Sequence, residues 1–303
     1  MVVERSGARV TTWRALWVFA VIAGAAIVPA AEDPAALFGR ARALLARGEA
    51  AQASPIFEKA VALAPKRADY HYWLAKSYGV EARHSTNAVR LMMIGWNTGE
   101  ELEAAVRLDP NFLDARLDLI RYYVMAPRLV GGSHDKAMAQ VAELEKRDAA
   151  LGAFASGYVR YREKELGPAR KKLEEAVRLA QTRETKVLAL TWLGYLSQET
   201  QQYDKAFESF EAILSVDPSH SAALYEIGRT AVFCTCRLDR GEEALRGYLT
   251  TSPAIDDPSL AAAHVQLGLL LEKKGDVAAA KREIAVARKM DKDVEGVPAH
   301  LLR

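Results

Sequence analysis

The sequence predicts an all-α protein, an α-solenoid of about seven stacked helix-turn-helix repeats. Three observations predict it. First, one spacing of small and large residues recurs. Gly194 is followed by Ala206 and Phe210 at offsets of 12 and 16. Gly157, Ala169 and Leu173 keep the same offsets, as do Gly268, Ala280 and Ile284, and Ala41, Ala53 and Phe57. Gly194 to Gly228 is 34 residues, and so is Ala41 to Ala75. A period of that length marks units that bury their apolar faces only by stacking on neighbours. Second, Ala, Leu, Glu, Lys and Arg are abundant, as long helices require. Third, no segment alternates Val, Ile, Thr and Tyr with polar residues, so almost no strand is expected.

The chain begins with a different kind of segment. Arg5, Arg9 and Arg14 precede an uncharged apolar run over residues 15–28, and Val28-Pro29-Ala30 supplies small residues after it. A run of this length suits a secretory leader and is short for a membrane span, which needs about 20 residues. Residues 1–30 are therefore expected to be a signal peptide, or an N-terminal membrane anchor if they are retained. No cysteine follows the run, which argues against a bacterial lipoprotein.

Residues 34–294 hold the repeats. The first helix of each unit carries a small residue: Ala41, Ala75, Gly157, Gly194, Gly228 and Gly268. Small size is needed there because the paired helix comes close. The second helix carries a small residue and a larger one four places on: Ala53 and Phe57, Ala137 and Val141, Ala169 and Leu173, Ala206 and Phe210, Ala244 and Tyr248, Ala280 and Ile284. That spacing puts both on one face. Pro65, Pro110 and Pro218 close three units. Gly48 and Gly275 fall where a helix ends in a left-handed residue, and Asp204 and Asp276 suit helix starts.

These letters resemble the tetratricopeptide repeat family. The resemblance is carried by Trp73-Leu74-Ala75 with Tyr78, by Leu193-Gly194 with Ala206, Phe210 and Pro218, by Ile227-Gly228 and by Leu267-Gly268. It covers seven units. Unit three departs from the pattern with Ile120 at the small position, unit two is long between Ala75 and Pro110, and units three and six carry extra residues between their helices. The resemblance implies a right-handed superhelix whose first helices line a concave groove. The apolar insert at residues 89–96 (VRLMMIGW) is expected to extend the second helix of unit two and bury itself against its neighbours. Residues 295–303 form a tail or cap.

Motifs for chemistry are sparse. Ser133-His134-Asp135 spells a triad, but adjacent side chains cannot align nucleophile, base and orienter. Ser133 reads as a helix cap with Asp135 in the first turn. Gly131-Gly132 lacks the lysine and spacing of a phosphate loop. Cys234 and Cys236 are the only cysteines. On a continuous helix they point apart, which favours thiols without chemistry; a helix ending near Phe233 would open a disulfide or a soft-metal site. The six histidines form no ligand spacing; His71 and His264 occupy equivalent places and are expected to pack between units. Catalysis, cofactors and metals are not expected. The chain has 41 basic and 39 acidic residues, and residues 1–30 hold three arginines and Glu4, so the rest is balanced. That balance gives no support to nucleic-acid binding, which needs a basic face.

The resemblance places the residue after each small position, and the one four places before it, on the groove. The candidate binding residues are Arg42, Tyr72, Lys76, Arg121, Tyr158, Tyr195, Tyr225 and Arg229. Basic groups lead in the first units and aromatic rings in the middle ones, a surface suited to a peptide or protein segment. The family's chaperone-tail clamp uses asparagines beside its basic residues, and Asn87, Asn97 and Asn111 do not fall on this face. The expected function is a non-catalytic interaction scaffold of the cell envelope, periplasmic or secreted after cleavage. The alternative is a membrane-tethered assembly factor that uses its convex face or the apolar insert.

Overall fold

The computed structural model describes residues 32–253 and 257–302; the expected leader lies outside them. Within the compact unit from Pro34 onward, the described residues form seven helical hairpins and no strand. The first helices are α1 (Pro34–Ala46), α3 (Ala68–His84), α5 (Leu113–Met125), α7 (Ala149–Arg162), α9 (Arg183–Glu199), α11 (Ser221–Cys234) and α13 (Leu260–Lys273). Their mates are α2 (Ala50–Leu63), α4 (Ala88–Leu108), α6 (His134–Glu145), α8 (Leu166–Leu179), α10 (Tyr203–Val216), α12 (Leu238–Tyr248) and α14 (Val277–Met290).

Local chemistry sets the ends. The three unit-closing prolines each follow a helix that stops just before them, at Leu63, Leu108 and Val216. Ser133 caps α6 by accepting from the Lys136 amide at 3.3 Å, and Asp276 caps α14 by accepting from Ala279 at 2.8 Å. Asp204 sits in the first turn of α10 but pairs with Arg237 at 2.7 Å instead of capping. Gly48 and Gly275 are left-handed, with φ of 78° and 89°. Lys164 and Gln201 hold the same turn at φ of 65° and 56°, although neither is glycine. All four residues lie seven places after the small residue of their unit.

Packing follows the repeat. The six small–large pairs of the second helices are all 2% exposed or less. A methyl group on Gly194 would stand 2.4 Å from Cζ of Phe210, so only glycine lets α9 and α10 approach this closely. In unit six, whose linker is longer, Leu245 and not Tyr248 faces Gly228, and Tyr248 packs at a tilt against Tyr225 with ring centroids 5.4 Å apart. The first helices touch one another at α1–α3, α5–α7, α7–α9 and α11–α13, whereas the second helices make no comparable contact among themselves. Closer spacing on the first-helix side makes that face the inner one. The row is looser between α3 and α5 and between α9 and α11. The second gap is bridged by Gln198, which donates to Thr230 and Glu226 at 2.9 Å. The C-terminal segment turns through a short helix at Ala299–Leu302 and buries Leu301 against the last unit.

Candidate functional site

The gap between α3 and α5 opens into a trough of 740 Å³. Its walls are the C-terminal halves of α3 and α5, and its floor is the N-terminal half of α4 with the turn that follows α5. The trough exists because α4 is long. At 21 residues it extends beyond the other second helices, and Asn87 fixes its start by accepting from the Arg90 amide at 3.0 Å. The turn is held by Tyr122, whose hydroxyl donates to the carbonyl of Val130. Leu91, Met92, Met125 and Leu129 line the space and are 36%, 43%, 60% and 74% exposed. The insert therefore extends α4 as expected but is not buried. Ile94 alone of its large apolar residues reaches the core, at 6% exposed, because α3 covers one face of α4 and no neighbour covers the rest.

Both walls of the trough carry charge. Asp118 on α5 sits between three donors: the Tyr72 hydroxyl at 3.2 Å, Lys76 Nζ at 3.5 Å and Arg121 Nη1 at 2.9 Å. Burial, reinforced by the Asp118 carboxylate, pushes the Tyr72 phenol well above its ordinary range and keeps it a donor. Lys76 projects from α3 and Arg121 from α5, so the two cations meet Asp118 across the trough, and Arg83 of α3 lines it further along. Two of the candidates named from sequence, Lys76 and Arg121, thus stand together here, and Tyr72 supports them. Asp118 was missed, although its place one helical turn before Arg121 marks it as a partner.

The other candidates lie elsewhere along the inner face. Arg42 is exposed and lies over the Trp73 ring at 3.5 Å from its centroid, a cation–π contact that fixes the guanidinium. Tyr195 is half-buried beside Trp192, with centroids 5.7 Å apart, and burial pushes its phenol up to about 12. Arg229 pairs with the buried Glu226 at 2.9 Å and donates to Gln198 at 2.9 Å. Tyr158 and Tyr225 are only 2% and 6% exposed and pack edge-on or tilted against Trp192 and Tyr248. Their rings build the wall and offer little surface to a ligand. Trp192, unnamed from sequence, is the centre of the aromatic row, contacting Tyr158, Tyr161 and Tyr195.

Cys234 and Cys236 form a disulfide, contrary to the expectation of inert thiols. The helix stops at Cys234, and Thr235 and Arg237 are left-handed at φ of 53° and 48°. That fold of the backbone, with Cα atoms 5.1 Å apart, brings together side chains that a continued helix would have separated. His71 and His264 hold equivalent roles, each contacting a second-helix glutamate: Glu101 at 2.5 Å and Glu283 at 2.6 Å. Among the described residues no three His, Cys, Asp or Glu side chains gather as a metal site, and no helix is long and apolar enough to cross a membrane.

Stacked helical hairpins with a small residue at each tight contact define a helical-repeat protein. Residues 188–220, which hold most of α9 and α10, match the tetratricopeptide repeat model, and the other hairpins repeat that fold. Among solved structures it is similar to human IFIT1, crystallised as a dimer with PPP-AAAA, at 18% identity and a TM-score of 0.60. The match covers 86% of this chain and 60% of IFIT1. It is also similar to a tetratricopeptide repeat protein from Parabacteroides merdae, at 12% identity and a TM-score of 0.50, over 86% of this chain and 94% of that one. At these identities the likeness is one of fold. No curated protein matches the sequence. Proteins of this repeat type generally bind protein partners and are generally non-catalytic scaffolds.

Proposed function

We propose that this protein is a non-catalytic scaffold that captures a segment of a partner protein on its inner face. The observation that carries this reading is the open trough between α3 and α5, apolar on its floor and charged along its walls. Apolar side chains of the partner would fill the space beside Met92, Met125 and Leu129, and its carboxylates would meet Lys76 and Arg121. Arg42, Tyr195 and Arg229 extend the same face in both directions and add further points of contact. Apolar burial supplies affinity, and the charged walls select the orientation and the sign of the partner. The balanced charge of the repeats favours a protein partner over nucleic acid.

The site of action we propose is the bacterial cell envelope, reached through cleavage of residues 1–30. The basic start and apolar run support export, and a disulfide is at home in an oxidising compartment.

The test is affinity capture from an envelope extract with the wild-type chain and with Arg42, Lys76 and Arg121 all changed to Glu. The reversal is expected to remove the captured protein while far-UV circular dichroism stays unchanged. Identical capture by both chains would refute the groove assignment.

A further inference from the structure

The long α4 has a second exposed face, separate from the one that floors the trough. Residues 91, 95, 98 and 102 run along the trough side. Val89, Met93, Trp96 and Glu100 follow steps of four, three and four and form another straight stripe. Val89, Met93 and Trp96 are 66%, 62% and 56% exposed. The Trp96 indole donates to Glu100 at 3.0 Å, which lays the ring along the stripe. Leu129 continues the patch, since it lines a shallow pocket together with Trp96.

We propose that this stripe is a self-association surface, on which α4 pairs with α4 of a second copy of the chain. Spacing of this kind is the seam by which one helix packs into another, and a flat lipid or an extended peptide would not require it. The area also fits. With the exposed part of Met92, the patch leaves on the order of 600 Å² per copy, so a two-fold contact would bury roughly 1,200 Å², the lower limit of specific interfaces. The contact is accordingly a small, reversible dimer interface.

Charge selects its direction. In a parallel pair the two Glu100 carboxylates would face each other. In an antiparallel pair, with the two-fold axis between Met92 and Met93, Val89 meets the other copy's Trp96. Glu100 then lies just beyond the N-terminal end of the other copy's α4, where unpaired N–H groups favour an anion.

Sedimentation velocity of the full chain, from about 1 µM to about 200 µM, is expected to show monomer passing into dimer across the range. Trp96→Glu and Met93→Glu each should hold the chain monomeric at every concentration, with unchanged circular dichroism. Met93→Cys should cross-link to itself through a short bismaleimide, and Glu100→Cys should not, because each residue 100 lies about 11 Å along α4 from the two-fold axis and the pair stand about 22 Å apart. Cys234 and Cys236 do not interfere while they are paired. A chain that stays monomeric throughout, or a dimer indifferent to Trp96→Glu, overturns the proposal. So does a monomer that binds anionic vesicles through Trp96. Efficient cross-linking at Glu100→Cys overturns the antiparallel arrangement. Met93, Trp96 and Glu100 do not line the trough, so substitutions there leave its lining intact.

Discussion

Adding one methyl group at two glycines should move stability in opposite directions. Gly194 and Gly79 both lie within first helices, where replacement by alanine improves intrinsic helix stability by about 1 kcal/mol. At Gly79 nothing lies within 4 Å of the added carbon, so that gain should appear almost undiminished. At Gly194 the added carbon would stand 2.4 Å, 2.5 Å and 2.9 Å from three atoms of the Phe210 ring. Carbon atoms rest about 3.5–4.0 Å apart, so the ring would have to retreat by more than about 1 Å. Phe210 is fully buried and borders Tyr195, which leaves it nowhere to go. Overpacking of this kind costs about 1–3 kcal/mol, and for Gly194→Ala it should exceed the helix gain, leaving a net loss of up to about 2 kcal/mol. Urea unfolding followed by circular dichroism reads both variants, and Phe210→Leu in the Gly194→Ala background should restore most of the loss. Stabilisation by Gly194→Ala equal to that by Gly79→Ala would refute the packing of α9 on α10.

Two further outcomes follow from particular contacts. His71 is buried with Nδ1 against Glu101 at 2.5 Å and Nε2 against the carbonyl of Pro65 at 3.0 Å, so both ring nitrogens face acceptors and the charged ring fits best. The Glu101 hydrogen bond raises its pKa above the ordinary value, against the opposing effects of burial and Arg107. The stability this pair contributes is therefore complete below about pH 6.5 and is lost as pH rises through the folded-state value. His71→Gln should narrow the gap in melting temperature between pH 5.5 and pH 8, by measurement of both proteins at both values. At Gln201, left-handed without being glycine, substitution by glycine relieves backbone strain of about 1 kcal/mol. Gln201→Gly should raise the urea midpoint, and a lowered midpoint would contradict the geometry of that turn.

The repeat was legible because its physics is local. A small residue is forced wherever two helices nearly touch, and Gly157, Gly194 and Gly268 with Leu173, Phe210 and Ile284 show it at constant spacing. Units three and six obscure the register because their linkers are longer, and only coordinates show that Leu245 fills the place opposite Gly228. The trough was not legible. Leu91, Met92, Met93 and Trp96 are apolar, and sequence alone cannot say whether an apolar helical face has a neighbour to cover it. Lys76 and Arg121 were found from the repeat, but Arg83, Asp118 and the burial of Tyr158 and Tyr225 depend on how units meet. Cys234 and Cys236 depend on one helix end that the repeat pattern does not specify.

Hydroxyl-radical footprinting of the free chain, diluted below its self-association range, tests most directly whether the trough between α3 and α5 stands open. Met92 and Met125 should be modified rapidly, and Phe210 and Tyr248, which are fully buried, should stay protected. Protection of Met92 and Met125 as complete as that of Phe210 would mean that the chain fills this space itself, and the inner face would lose its binding site.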